Sequence, residues 1–321
     1  MNANVLNITN GDCAVDIMQQ AKISGDFLPW RDVLHEGPVP DGLSLGMLSE
    51  VRAQFITSRG WGQPETIRQS FKERDKVLES SGNYARVVLW FEHDLYDQLQ
   101  LLQILDWFSH NVSSGTALSI ICTDQYLGLL SPDELKALVQ YEVPVTQDQL
   151  TLAADAWAAF RSTNPQHWLD LLSRDLSALP YLEGAVHRLA EEYPDAVTGL
   201  SRTAHKALQI IEAGEGRPGR VFAAYQETEE RKFLGDASFW VILNELLEAR
   251  PLLVTLSEGE AVRLPAQPGQ LLSLTAEARS VLSGEKSARQ SLVIDRWLGG
   301  VHLTADNDWC WHAVSLTLSR L

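Results

Sequence analysis

The chain has 321 residues, a length that suggests about two domains. Apolar residues make up 45% and charged residues 21%, which excludes a disordered linker-type composition and allows a sizeable core. A net charge of −16 repels phosphate backbones at long range, so a general nucleic-acid binder is disfavoured. In chain order, Val5–Thr9 reads as a strand, Asp12–Lys22 as a helix and Asp26–Trp30 as a second strand. Leu43–Arg59 and Pro64–Ser80 follow as amphipathic helices. The continuous apolar run Arg86–Phe91 suits a strand buried on both faces of a parallel sheet. A helix over Leu95–Phe108 and a strand over Ala117–Cys122 complete the pattern. Strands alternating with helices predict an α/β fold with a doubly wound, mainly parallel sheet, of order 2-1-3-4.

From Ser131 to Tyr193 the sequence is mostly helical, punctuated by Pro132, Pro144, Pro165 and Pro180, and Pro194–Gly199 reads as a linker. Helices over Ser201–Ala213, Arg220–Lys232 and Asp236–Ala249 come next. Strands at Leu252–Leu256 and Gln270–Leu274 and a helix from Thr275 follow them, the order of a winged helix. The expected organisation is therefore a Rossmann-like or flavodoxin-like α/β domain over 1–125, a helical segment over 126–197 and a winged-helix-like α+β domain over 198–321. Net charge is −7, −7 and −2 over these three segments. The helix at Asp236–Ala249 lacks lysine and arginine, which argues against groove binding and for a protein partner. No run approaches the ~20 apolar residues of a membrane span, and no secretory leader pattern opens the sequence. Cys13, Cys122 and Cys310 lack paired spacing, so a reduced, cytoplasmic protein is expected.

The polar residues of the first third gather at strand ends. Strand one runs into Asn10-Gly11-Asp12, strand two into Arg31-Asp32 and then His35-Glu36, and strand three into Glu92-His93-Asp94. In a parallel sheet these ends share the carboxyl edge, where open α/β sheets bind ligands at the reversal of strand order. Asn10 and Gly11 precede a helix whose free N–H groups suit an anion, although Gly11 also fits a plain turn and Asp12 an N-cap. Arg31 can clamp an anion bidentately, with Asp32 in support. The competing reading places both in loop salt bridges, with Trp30 in the core. His35, beside Glu36 in a Gly/Pro-bounded loop, is a candidate general base or metal ligand, with a histidine that satisfies loop carbonyls as the alternative. Glu92, His93 and Asp94 are costly to bury unpartnered. They point to acid–base chemistry or to a divalent metal, while Asp94 and Asp97 also suit the start of the following helix. Trp107, Trp157 and Trp240 fall on apolar helix faces and read as core. Gly299-Gly300 reads as a simple bend.

Three motifs, ITNGD (Ile8–Asp12), LPWRDVLHEGPVP (Leu28–Pro40) and LWFEHDLYDQLQLLQILDWF (Leu89–Phe108), resemble the bacterial family called domain of unknown function 1835. The likeness continues through GLSRT (Gly199–Thr203), FLGD (Phe233–Asp236) and IDRWLGGVHL (Ile294–Leu303). It implies one protein type across both halves of the chain and carries over no catalytic residue. The residues themselves point to an enzyme that binds an anionic small molecule, a nucleotide or phosphorylated metabolite. Asn10, Gly11 and Arg31 would hold it, with Asp12 and Asp32 in support, and Glu92, His93 and His35 would perform hydrolysis or group transfer, assisted by a divalent metal. The rival reading is a regulatory or adaptor protein that docks a partner through its C-terminal domain.

Overall fold

The computed structural model describes residues 4–111 and 115–320. The chain divides into two compact units, one of residues 1–186 with 299–301, the other of 187–298 with 302–321. The segment read as a helical middle is thus shared between them.

The first unit is α/β. Its sheet has the order β2-β1-β3-β4-β5. Strands β1 (Val5–Thr9), β2 (Asp26–Pro29), β3 (Arg86–Phe91) and β4 (Ala117–Cys122) are parallel, as expected. A two-residue strand β5 (Val143–Pro144) adds an antiparallel edge that the sequence reading missed. Two residues are too few for a hydrophobic alternation to register. Helices α1 (Asp12–Gln20), α2 (Leu45–Ser58), α3 (Pro64–Glu79) and α4 (Leu95–Asn111) lie between the parallel strands. Helices α5 (Pro132–Ala137), α6 (Gln147–Arg161) and α7 (Gln166–Asp170) follow β4. The boundary between the units falls inside α8 (Leu182–Ala190).

The run RVVLWF forms the centre of the sheet because both its faces are apolar. Val88 and Trp90 pack with Ala14 and Met18 of α1, Ile121 of β4, and Leu135 of α5. Val87, Leu89 and Phe91 alternate with them onto the other face and are equally buried. The register pairs Thr9 of β1 with Pro29 of β2 and with Trp90 of β3, so all three strands end at one level. Chain order reverses between β1 and β3, which opens the crevice typical of such sheets there.

In the second unit, α9 (Arg202–Glu212), α10 (Pro218–Gln226) and α11 (Asp236–Glu248) precede the antiparallel pair β6 (Val254–Leu256) and β7 (Leu272–Leu274). Helix α12 (Ala276–Leu282) and the pairs β8 (Arg296–Leu298) with β9 (Val301–Leu303) and β10 (Trp309–His312) with β11 (Thr317–Arg320) complete it. These last four strands were also missed, because each spans only three or four residues. Tyr225 stacks on Phe239 at 4.9 Å, and Phe239, Trp240, Ile242, Leu243 and Leu246 are buried, so α11 belongs to the core of this unit. Beside it Arg188 sits in a buried network. It donates to Glu192 at 2.8 Å, to both Glu229 oxygens at 2.7 and 2.9 Å and to Thr203 at 3.0 Å. No helix among the described residues is long and apolar enough to cross a membrane.

Candidate functional site

The ends of β1 and β3 meet through one side chain. The Asn10 amide donates to Glu92 Oε1 at 2.9 Å and to Asp97 Oδ2 at 2.8 Å. Backbone donors complete the arrangement. Leu127 N–H, beyond the end of β4, reaches Glu92 Oε1 at 2.8 Å, and Glu92 N–H reaches Asp97 Oδ1 at 2.7 Å. Asp94 begins α4 as an N-cap, accepting from Asp97 N–H at 3.1 Å. Residues beyond the ends of three neighbouring parallel strands, β1, β3 and β4, therefore contribute to one cluster, held by the Asn10 side chain and by the backbone N–H groups of Glu92, Asp97 and Leu127.

Glu92, Asp94 and Asp97 are all buried, and one oxygen from each lies within 4.8 Å of the others. Burial and the neighbouring Asp94 push Glu92 up to about 7, against the pull of Leu127 N–H and Asn10. Asp97 is raised well above the ordinary carboxylate range, by burial first and then by Asp94 and Glu92. Like charges this close in a dry site cannot all remain ionised without a counter-charge. The cluster must take up protons or a cation, and its all-oxygen donor set suits hard divalent ions such as Mg²⁺, Mn²⁺ or Ca²⁺.

Aromatic and imidazole groups flank the carboxylates. The His93 ring lies 5.1 Å from the Tyr126 ring and 5.9 Å from that of Tyr181. His35 is buried 6.0 Å from the Tyr96 ring, with Nε2 3.7 Å from Glu36. Tyr96 is pushed far up by burial and by the negative charge of Asp97, so its phenol stays neutral.

The other expected residues occupy two separate settings. Arg31 forms a fork on Asp12, with Nε–Oδ2 at 2.7 Å and Nη2–Oδ1 at 2.5 Å, at the exposed start of α1. Its backbone has φ of +52°, a left-handed conformation that costs a non-glycine residue about 1 kcal/mol or more. Gly11 is the extended N-cap of α1 and receives no side-chain cap. Asp32 points inward instead and pairs with the fully buried Arg52 at 2.9 Å. Arg52 also donates to the carbonyls of Val33, Glu36 and Pro38, so this pair shapes the loop that carries His35. Gln100 of α4 ties the same loop down through the Asp32 carbonyl at 2.7 Å.

The sequence reading treated Asp97 as a helix-start residue and did not place it in the cluster. It also passed over Tyr96, Gln100, Arg52 and the Leu127 amide. A second acid three residues after Asp94 was the available signal, but helix capping explained it equally well. The Leu127 amide had no signal, since backbone donors are silent in sequence. No family model matches the chain, and no curated protein does either.

Proposed function

We propose that the carboxyl edge of the first sheet is an enzyme site. It binds an anionic small molecule, a nucleotide or phosphorylated metabolite, through a divalent cation and catalyses hydrolysis or group transfer. The observation that carries this reading is the set of three buried carboxylates with oxygens inside 4.8 Å at the strand-order reversal. A bare anion would be repelled by that set, whereas a cation held by Glu92, Asp94 and Asp97 would relieve the buried charge and attract a phosphate. When bound, the cation supplies Lewis-acid polarisation of the phosphoryl group.

The remaining work falls to the chain's own groups. Asn10 fixes the orientation of Glu92 and Asp97. His93, packed against Tyr126 and Tyr181, and His35, on the loop that Arg52 braces, are the groups suited to carry protons near neutral pH. Arg31 and Asp12 are about half exposed, so an incoming anion can take Asp12's place on the guanidinium at little cost. The test is release of inorganic phosphate from a panel of nucleotides and sugar phosphates. The full chain would be stripped with chelator and then supplied with Mg²⁺ or Mn²⁺. Metal-dependent turnover that falls by roughly 100-fold or more in Glu92→Gln and Asp97→Asn is expected. Turnover that is indifferent to the metal and to these substitutions contradicts the reading.

A second reading, an adaptor that docks a partner through the winged-helix-like part of the chain, draws on Val293, Val314 and Leu316, which are exposed in the second unit. It predicts a stable complex that Val293→Ser with Val314→Ser abolishes while phosphate chemistry is absent.

A further inference from the structure

The last strand pair of the second unit carries three donor atoms that neither the carboxylate cluster nor the buried Arg188 network uses. In the β10–β11 register Cys310 lies opposite Ser319 and His312 opposite Thr317. Side chains alternate along a strand, so Cys310, His312 and Ser319 share one face of the pair, while Trp309 and Trp311 take the other. The contacts agree with this placement. Cys310 Sγ is 3.6 Å from His312 Nε2 and 3.6 Å from Ser319 Oγ, and Nε2 is 2.8 Å from Oγ. The thiol is fully buried, whereas the imidazole and the hydroxyl are half-buried, so an ion can approach past His312 and Ser319.

The spacing is that of two ligands on one ion. On a tetrahedral zinc, with Zn–S about 2.3 Å and Zn–N about 2.0–2.1 Å, a thiolate and an imidazole stand about 3.6 Å apart. A sulfur and an imidazole nitrogen select zinc-type ions, whereas Mg²⁺ and Ca²⁺ prefer all-oxygen sets. The Ser319 hydroxyl adds a third, weaker oxygen ligand and leaves one position to water. Without an ion the three groups can satisfy one another, S–H to Oγ and O–H to Nε2. That arrangement aims the Nε2 lone pair into the group, which is the tautomer a metal requires. Loss of the thiol proton is then the one change of protonation that binding needs.

We propose that Cys310, His312 and Ser319 bind one zinc-type divalent ion. The Cys310 thiol releases its proton to solvent, and a water completes the coordination. The site stands on the β10–β11 pair alone and is independent of the carboxylate cluster and its proposed chemistry.

The test is a titration of the reduced full chain with Co²⁺ in a buffer containing excess Mg²⁺. It is followed by sulfur-to-cobalt charge-transfer absorption, which requires a thiolate ligand. One equivalent of Co²⁺ should saturate this band, and Zn²⁺, which thiolate donors favour, should displace it. Cys310→Ser, close to isosteric at its buried position, should abolish the band with the fold retained in urea unfolding. His312→Gln, at a half-buried position, tests the site without touching the core and should weaken Co²⁺ binding about tenfold or more. Cys122, with its sulfur 3.9 Å from the Glu92 carbonyl oxygen, is the rival thiol, and Cys122→Ser should leave the band unchanged. No charge-transfer band, a band that survives Cys310→Ser or vanishes in Cys122→Ser, or unchanged affinity in His312→Gln would each overturn the proposal.

Discussion

Glu92 shows how a residue's neighbours decide its chemistry. A glutamate in water titrates near 4.5, whereas burial and Asp94 move it here to about 7. The folded chain therefore binds more protons than the unfolded chain between those values. Its stability contribution from Glu92 is present below about 4.5 and is lost as pH rises through about 7. Thermal melts of metal-free protein should show Tm falling across this window, and Glu92→Gln should flatten that slope. Asp32 is structural instead, paired with Arg52 in a fully buried ion pair. Asp32→Ala strands that guanidinium and should cost about 3–5 kcal/mol in urea unfolding. Such a loss would separate its structural role from that of the cluster, since Glu92→Gln is predicted to leave the fold intact.

Among the elements, those with a long, single-period pattern were legible from sequence and those built by short pairings were not. Val5–Thr9, Arg86–Phe91 and Ala117–Cys122 have the bounds that their apolar runs indicate, and the order 2-1-3-4 places Asn10 beside Glu92 as the strand-end argument requires. Asp97 and Leu127 entered the cluster through a helix turn and a loop amide, whose aim depends on how α4 and the chain beyond β4 pack. Gly299-Gly300 looked like a plain bend, but its demands are tertiary. Gly299 has φ of +60°, and a Cβ on Gly300 would overlap the Arg161 carbonyl. Gly300 N–H donates to Phe160 O at 3.0 Å, and Gly299 O accepts from Val39 N–H at 2.8 Å. Gly300→Ala should therefore destabilise the first unit by about 2 kcal/mol or more, read by chemical denaturation. At the start of α6, Thr146 and Gln149 form a capping box, and Thr146→Ala should cost about 1 kcal/mol.

At the scale of the whole molecule, the two units are built to respond to pH in opposite directions. In the second unit burial alone would raise Glu192, but Arg188 and Arg296 hold it at about 2. Its stabilisation is present above about 4.5 and fades as pH falls toward about 2. Acid should thus loosen the second unit while it relieves the carboxylate cluster of the first. A divalent cation would remove the neutral-pH weakness of that cluster by replacing protons with a bound charge. Since only the folded chain brings the three carboxylates together, binding adds stability, about 2.7 kcal/mol at a hundredfold excess over Kd. Calorimetric titration of chelator-treated full chain with Mn²⁺ at pH 7.5, beside Glu92→Gln and Asp97→Asn, measures this directly. One equivalent bound with release of protons, and lost in both variants without loss of fold, is the predicted result. An absence of saturable binding, or binding that both variants retain, would contradict the assignment of Glu92, Asp94 and Asp97 as a metal centre.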